Sequence, residues 1–405
     1  MWAFRSKRKS LLPALFVMVL VLLVTVLVQP VKASGDFWVE RAPMPTASAY
    51  VGAVTVNDKI YVITPNSTYL YDPTTDIWTP KTPMPTVQYG FATATYQNMI
   101  YVFGGCSGFN QTTGYPINCT KANEAYNPTT DSWGTRAPMP TARAEFQANV
   151  VNGKIYLLSG TLSTGDISNA TEVYDPSNDS WSVAAAIPTA VGLYASAVVN
   201  SKIYVEGGGK SGPTITDLNQ IYDPETNMWT LGEPLPAPLV VWAAAGATTG
   251  LYAPTRLYVI GGTPDGIKSV NATQIYDPQT NSWTTGALMP TARGALSVTV
   301  VNDTLYVIGG MDNFLNPQAP ANDANEQYFP LGYGEPAPSP SQTPSNSASP
   351  LLAPSPSPSA SQSASPSPTI PAEYIGVAVA AVVIIAVAAA FTLKRRSTKD
   401  KSRNS

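Results

Sequence analysis

Five times in this chain a Tyr is followed seven residues later by a Trp across a turn of the form Y-[DN]-P-x-[TN]-[DN]-x-W. The pairs are Tyr71/Trp78, Tyr126/Trp133, Tyr174/Trp181, Tyr222/Trp229 and Tyr276/Trp283. After each of these Trp residues, and after an isolated Trp38, a Pro stands seven positions on, at Pro45, Pro85, Pro140, Pro188, Pro236 and Pro290. The Trp-to-Trp steps of 40, 55, 48, 48 and 54 residues mark one supersecondary unit repeated along the chain, at the size of a propeller blade.

Each unit divides into four short strands. The small, apolar stretch after "MPT" reads as an inner strand near a crowded axis, and a turn such as Asn152-Gly153 supplies the positive φ of a tight hairpin. The second strand is β-branched and aromatic ("KIYVI", "MIYVFGG", "KIYVEGG") and ends at Gly-Gly, where the backbone bends sharply. The third strand ends in the Tyr, Asp and Pro form the turn, and the fourth strand carries the Trp. The spacing puts both rings on a shared face, where they fill the space between neighbouring blades.

This pattern resembles kelch repeats over residues 37–330. The positions that carry the resemblance are the glycine doublets Gly104-Gly105, Gly207-Gly208, Gly261-Gly262 and Gly309-Gly310, with a Tyr and then a Trp in fixed register. The resemblance implies an all-β fold, a six-bladed kelch-type β-propeller. Two units depart from it: the third has Ser159-Gly160, and the first replaces the doublet with "ITPNST".

Counting strands closes the ring. Tyr61, Tyr101, Tyr156, Tyr204, Tyr258 and Tyr306 mark six second strands, yet the last unit has no Trp strand after "NEQYFP", while Trp38 has no unit before it. Joining the two leftovers completes a sixth blade through an N-terminal strand, which removes two open sheet edges. The spacing from the second-strand Tyr to the third-strand Tyr runs 10, 25, 18, 18, 18 and 22 residues, so insertions gather in the loops of one face, the face expected to bind.

The domain order follows from the ends. Residues 1–33 read as a signal peptide or an uncleaved signal anchor, basic at first and then apolar. Residues 36–330 are the propeller, and 331–371 form a stalk dominated by Ser and Pro, too poor in apolar side chains to build a core. Residues 375–393 have the length and hydropathy of a transmembrane helix, and 394–405 form a basic tail. Positive charge stays on the cytoplasmic side, so the expected location is the cell membrane, single-pass, with the propeller extracellular. Asn66, Asn110, Asn118, Asn169, Asn178, Asn271 and Asn302 head glycosylation sequons. Cys106 and Cys119 lie in the longest loop; a disulfide stapling it is the expectation in an oxidising compartment.

Chemistry is sparse. The chain contains no histidine, which removes the usual general base and the usual zinc or copper ligand; no cofactor and no metal are expected. Residues 36–371 hold 24 acidic and 12 basic side chains, a balance that disfavours nucleic acid. Polar and aromatic residues at the start of the inner strands, Tyr50, Gln88, Arg143, Glu145, Trp242 and Arg293, are the candidate ligand contacts. For the two Arg residues of "MPTAR", the competing reading is that each fixes an adjacent carbonyl or turn. The function expected is a non-catalytic adhesion or binding module for an extracellular protein or glycan. The alternatives are a carbohydrate-active enzyme working with Glu145 or Glu206 and a partner carboxylate, and a structural envelope protein.

Overall fold

A computed structural model describes residues 35–110, 113–210, 214–237, 242–312 and 320–334. The expected signal segment, nearly all of the stalk, the span and the tail lie outside the described residues. Among the described residues only strands, turns and bends occur, and no helix is long and apolar enough to cross a membrane.

The chain enters with β1 (Phe37–Arg41) and then builds blade after blade. Blade 1 is β2 (Gly52–Val56), β3 (Lys59–Ile63), β4 (Thr68–Asp72) and β5 (Ile77–Lys81). Blade 2 is β6 (Ala92–Tyr96) and β7 (Met99–Phe103), then a small hairpin, β8 (Gly108–Phe109) and β9 (Pro116–Ile117), then β10 (Asn123–Asn127) and β11 (Ser132–Thr135). Blade 3 is β12 (Gln147–Val151), β13 (Lys154–Leu158), β14 (Thr171–Asp175) and β15 (Ser180–Ala184). Blade 4 is β16 (Ala195–Val199), β17 (Lys202–Glu206), β18 (Asn219–Asp223) and β19 (Met228–Leu231). Blade 5 is β20 (Ala244–Ala247), β21 (Leu257–Ile260), β22 (Thr273–Asp277) and β23 (Ser282–Thr285). Blade 6 is β24 (Ser297–Val301), β25 (Thr304–Ile308) and β26 (Asn325–Phe329), and its fourth strand is β1, paired antiparallel with β26 from Phe37↔Phe329 to Arg41↔Asn325.

The repeated motif is a clamp between blades. In every blade the Tyr and Trp stand directly opposite across the third and fourth strands, including Trp38↔Tyr328 at the closure. The Tyr hydroxyl donates to the motif's second Asp or Asn, five positions on: Asp76, Asp131, Asp179, Asn227 and Asn281. That same side-chain oxygen accepts a backbone N–H of the preceding blade, from Ala42, Thr82, Ala137, Ala185 and Glu233 in turn. The Nε1 of Trp78, Trp133, Trp181, Trp229 and Trp283 then donates to the carbonyl of that same residue, at 2.8–2.9 Å. One residue of each blade is thus gripped through both its N–H and its C=O by the next.

Both rings of the motif pack between neighbouring blades, as expected, but they are not buried alike. Tyr71, Tyr126, Tyr174, Tyr222, Tyr276 and Tyr328 are sealed, at 2% exposure or less. Their partners Trp38, Trp78, Trp133, Trp181, Trp229 and Trp283 are only half-buried and pack at the margins of the core clusters. The reason lies in strand order. The fourth strand is the outermost of its sheet, so its indole covers the third-strand Tyr, centroids 4.8–5.1 Å apart, and leaves part of its own surface to solvent. Trp serves here as lid and hydrogen-bond donor, with its polar N–H satisfied and its ring bridging core and water.

At the closure the motif is split between the two ends of the chain. Asp36, two residues before Trp38 as Asp76 is two before Trp78, accepts from the Tyr328 hydroxyl and from the Ala287 N–H, while Trp38 Nε1 donates to the Ala287 carbonyl. The ring therefore shuts with the same clamp that joins every other pair of blades.

The core lies between blades. Ile60, Val62 and Tyr71 of blade 1 pack with Val301, Tyr306 and Ile308 of blade 6, all under a tenth exposed. The hairpins of blades 1, 2, 4 and 6 turn through two consecutive non-glycine positive-φ residues, for example Asn57-Asp58 and Asn200-Ser201, the backbone that matches strand twist. In blade 3, Ser159 and Gly160 adopt φ of 54° and 103°, nearly the values of Gly104 and Gly105 (59° and 96°). Ser159 is tolerated because its hydroxyl donates to the Ser168 carbonyl and accepts the Val191 N–H.

Up-and-down strands set two faces. The loops joining second to third strands share one face with the segments entering each inner strand, and the tight hairpins occupy the other. The blade 5 insertion sits on the hairpin face, where the Asp303 carboxylate accepts from the N–H groups of Thr249, Leu251, Tyr252 and Ala253. The Tyr333 ring lies tilted near that of Tyr252 there, centroids 6.5 Å apart, and Gly334 N–H donates to the Tyr252 carbonyl.

Candidate functional site

At the start of each inner strand one residue is turned into the left-handed region: Tyr50, Gly90, Glu145, Leu193, Trp242 and Ala295, with φ between 49° and 66°. A left-handed non-glycine residue costs about 1–2 kcal/mol, and the ring supplies the compensation. Tyr50 N–H donates to Ala295 O, Ala295 to Trp242 O, Trp242 to Leu193 O, Leu193 to Glu145 O and Glu145 to Gly90 O, at 2.7–3.1 Å. Five interblade hydrogen bonds thus circle the axis and are made by backbone alone, so the side chains at these positions carry no part of the link.

All six positions line a small axial cavity of about 70 Å³. On the loop side, Glu145, Leu193 and Trp242 also line a second cavity of about 280 Å³, walled by Tyr115, Thr161, Gly192, Lys210 and Asp265 among others. Glu145 stands at the junction of the two. Its side chain is nearly buried, and burial pushes its carboxyl up to about 7, against a hydrogen bond from Thr161 that favours the ionised form. Gly192 leaves the room for that arrangement: a Cβ there would fall 2.4 Å from the Thr161 hydroxyl. The Tyr50 hydroxyl is shifted upward, by burial first and then by the Glu145 charge.

Of the six expected contacts, the structure brings Tyr50, Glu145 and Trp242 together at the axis, with the Tyr50 and Trp242 rings 5.0 Å apart. The other three are corrected. Arg143 and Arg293 are wholly buried, inside blades 3 and 6. Arg143 pairs with Glu172 at 2.7 Å and donates to the Leu157 carbonyl; Arg293 pairs with Glu326 at 2.6 Å and donates to the Val307 and Thr291 carbonyls. They fix carbonyls, the competing reading, because a residue two places before the axis points back into its own blade. Gln88 occupies the matching place in blade 2; it is buried, and its Oε1 accepts from the Thr120 hydroxyl.

The expected disulfide is also corrected, since Cys106 and Cys119 are free thiols. Cys106 is held in a backbone pair with Tyr89, with Sγ 3.4 Å from the Tyr89 carbonyl, whereas the Cys119 thiol faces the Thr161 carbonyl of blade 3. Burial raises both thiols, Cys106 to about 12. Glu206, the second carboxylate considered for glycan chemistry, lines neither cavity. It is wholly buried with no hydrogen-bond partner for either oxygen, and burial raises its carboxyl well above the ordinary range. Six of the seven sequon asparagines are exposed, while Asn271 is half-buried and donates its amide to the Met289 carbonyl.

Sequence reasoning missed Leu193, Tyr89, Phe109, Tyr115 and Thr161. Leu193 was recoverable, because it stands five residues after its Pro, as Tyr50, Gly90, Glu145 and Ala295 do. Phe109 and Tyr115 belong to an insertion that has no counterpart in the other units, and no repeat position announces them.

Residues 50–238 match the family model described as the KLHDC2/KLHL20/DRC7 Kelch-repeats domain, and residues 251–290 match the Kelch motif. Kelch repeat and BTB domain-containing protein 12 of Homo sapiens is 32% identical over 159 residues, 34% of this chain and 26% of that protein. Influenza virus NS1A-binding protein of Homo sapiens is 44% identical over 48 residues, 12% of this chain and 8% of that protein. The chain thus spans about a quarter or less of the curated relatives' length. The solved structure titled "Structure of YjhT" superposes with a TM-score of 0.61 at 18% identity, over 70% of this chain and 95% of that one, a likeness of fold alone.

Proposed function

We propose a binding role for this chain, whose described residues form a six-bladed kelch-repeat β-propeller. It is a non-catalytic module, exported by residues 1–33 and held at the cell membrane by a single span at 375–393, which presents its loop face to an extracellular protein. The observation that carries the reading is the axial site: six equivalent positions share one backbone geometry yet present Tyr, Gly, Glu, Leu, Trp and Ala around a cavity. A surface whose scaffold is backbone and whose side chains differ from blade to blade suits the recognition of an asymmetric partner. A second observation agrees with display. Both described ends, at Asp36 and at Gly334, lie on the hairpin face, so neither crosses the cavity mouth.

The test is site-specific cross-linking on intact cells. A photoreactive side chain replacing Tyr115, on the loop face, should capture a surface protein, while one replacing Val183, exposed on the outer strand of blade 3, should not. Equal capture from both, or none from Tyr115, overturns the assignment of the face. External protease releasing the propeller from the same cells supports the orientation, and a protected propeller rules it out. A glycan array probed with the same chain separates a sugar ligand from a protein one.

A further inference from the structure

The mouth of the axial site is built of aromatic rings around one carboxylate. Tyr50 lies 5.0 Å from Trp242 and 5.2 Å from Phe109, and Phe109 lies 6.4 Å from Trp242, centroid to centroid. Tyr89 closes the group at 6.2 Å from Tyr50 and 6.3 Å from Phe109. These four residues come from blades 1, 2 and 5, so the cup exists only when the ring is shut. All four rings are half-buried; Tyr50 and Trp242 line the axial cavity with Glu145, Trp242 and Glu145 also line the larger cavity, and Phe109 and Tyr89 pack against them.

Ring faces carry negative quadrupole and attract cations, more strongly when the pair is desolvated. They offer an anion nothing. A carboxylate beside them adds a full charge of the same sign once ionised. The larger cavity's wall holds one charge of each sign, Lys210 and Asp265, leaving Glu145 as the uncompensated group. The wider field agrees, since residues 36–371 carry 24 acidic against 12 basic side chains, an excess that the buried Arg143–Glu172 and Arg293–Glu326 pairs leave unchanged. Such an excess steers cationic partners towards the surface.

We propose that the axial cup receives a lysine side chain of the protein partner, its ammonium seated against Tyr50, Phe109 and Trp242 with the Glu145 carboxylate as counter-ion. This rests on the binding reading above and names the chemistry that face would select. Proton linkage follows. The groups near Glu145 are the Tyr50 hydroxyl, the Cys106 and Cys119 thiols and the Thr161 hydroxyl, with the charged side chains of Lys210 and Asp265 on the wall of the larger cavity. Burial raises the Glu145 carboxyl to about 7, so near and below neutral pH it carries a proton in part of the population. An incoming ammonium therefore expels a proton, and affinity falls by up to tenfold per unit as pH drops below 7.

The experiment is a saturation-transfer NMR titration of the full-length chain in detergent, with N-acetyl-lysine methylamide and its neutral isostere N-acetyl-norleucine methylamide. The lysine amide should bind at least tenfold tighter, with the preference shrinking at pH 5.5. Glu145→Gln should abolish the preference. Phe109→Leu, on the β8–β9 hairpin and outside the backbone ring, should weaken lysine binding at least threefold without moving the melting temperature. Equal binding of the two amides, or an undiminished preference in folded Glu145→Gln, overturns the proposal. Spermidine binding ten times tighter than the lysine amide overturns it in favour of a free polyamine. If Tyr115 still cross-links a partner while the two amides bind alike, the binding face stands and only the cationic ligand falls.

Discussion

The rim and the axis of this propeller are both made of one position repeated six times, yet they have opposite sequence character. At the rim, Tyr and Trp recur in every blade, with Asp or Asn between them, because their side chains are the joint: a hydroxyl, an indole N–H and a carboxylate or amide oxygen together hold one residue of the neighbouring blade. At the axis the joint is a backbone N–H donating to a carbonyl, and the side chains are released from any structural duty. The difference teaches where to look for function in a repeat protein. The informative positions are those where the repeat keeps its geometry and loses its residues.

The largest way to break this comparison is at the closure. Removing residues 35–41 deletes the fourth strand of blade 6 along with Asp36 and Trp38, opens a sheet edge and exposes the blade 6 core. Calorimetry should show loss of the single cooperative transition; a melt like that of the intact chain would mean that the clamps do not hold the ring.

Next come the ion pairs inside the blades. Arg293→Ala strands Glu326 in the interior and should cost about 3–5 kcal/mol in chemical denaturation, whereas Arg293→Met with Glu326→Leu should recover most of the loss. An Arg293→Ala chain as stable as wild type would return that residue to the surface.

Glu206 gives a smaller effect of opposite sign. In blade 4 it occupies the place held by Ile63, Phe103, Leu158, Ile260 and Ile308 elsewhere, and burial raises its carboxyl well above the ordinary carboxylate range. Its folded pKa lies above the unfolded one, so its contribution to stability is intact below the unfolded value and is lost as pH rises through the folded value. Glu206→Leu should therefore stabilise by about 1–3 kcal/mol at pH 8, the cost of a buried polar group without a partner, and by less at pH 4.5. Thermal melts at the two pH values check the sign.

The smallest effect is expected at the axis. Leu193→Asn keeps the left-handed backbone, which Asn tolerates better than Leu, and leaves the Leu193 N–H to Glu145 carbonyl bond in place. Stability should change by less than about 0.5 kcal/mol, while capture of the partner changes. A loss comparable to that of Arg293→Ala would show that axial side chains do support the ring.

Much of the fold was legible because it rests on short-range pattern. The Tyr–Trp spacing, the glycine doublets and the unpaired Trp38 are local, and each corresponds to a local physical need: an opposed cross-strand pair, a positive φ, a missing fourth strand. The depth of each ring was not legible. Spacing set Trp133, Trp181, Trp229 and Trp283 opposite their tyrosines, but only the position of their strands at the outer edge of each sheet left them half-buried.

Half of the site was legible for the same reason as the fold. Tyr50, Glu145 and Trp242 were visible as unusual residues at a repeat position, whereas Arg143, Arg293 and Gln88, at a neighbouring position in the same segments, also stood as candidate ligand contacts and lie inside, the two Arg residues as their competing reading had it. Sequence spacing records how far along the chain a residue stands but not which way its side chain turns. Here a two-residue shift separates a guanidinium buried on Glu172 from a carboxylate lining a cavity.

The sequence alone determined the number of blades, the strand order within each blade and the way the two ends close the ring, since these follow from periodic patterning and from counting. Only the tertiary structure decided that Phe109 meets Trp242 across the axis, that Cys106 and Cys119 remain apart as thiols and that Glu145 faces a cavity while Glu206 is sealed in a blade. The reason is that a repeat encodes each blade separately, whereas the axis is where all six meet, and its contacts, such as Phe109 with Trp242, join side chains of different blades that no local pattern can relate.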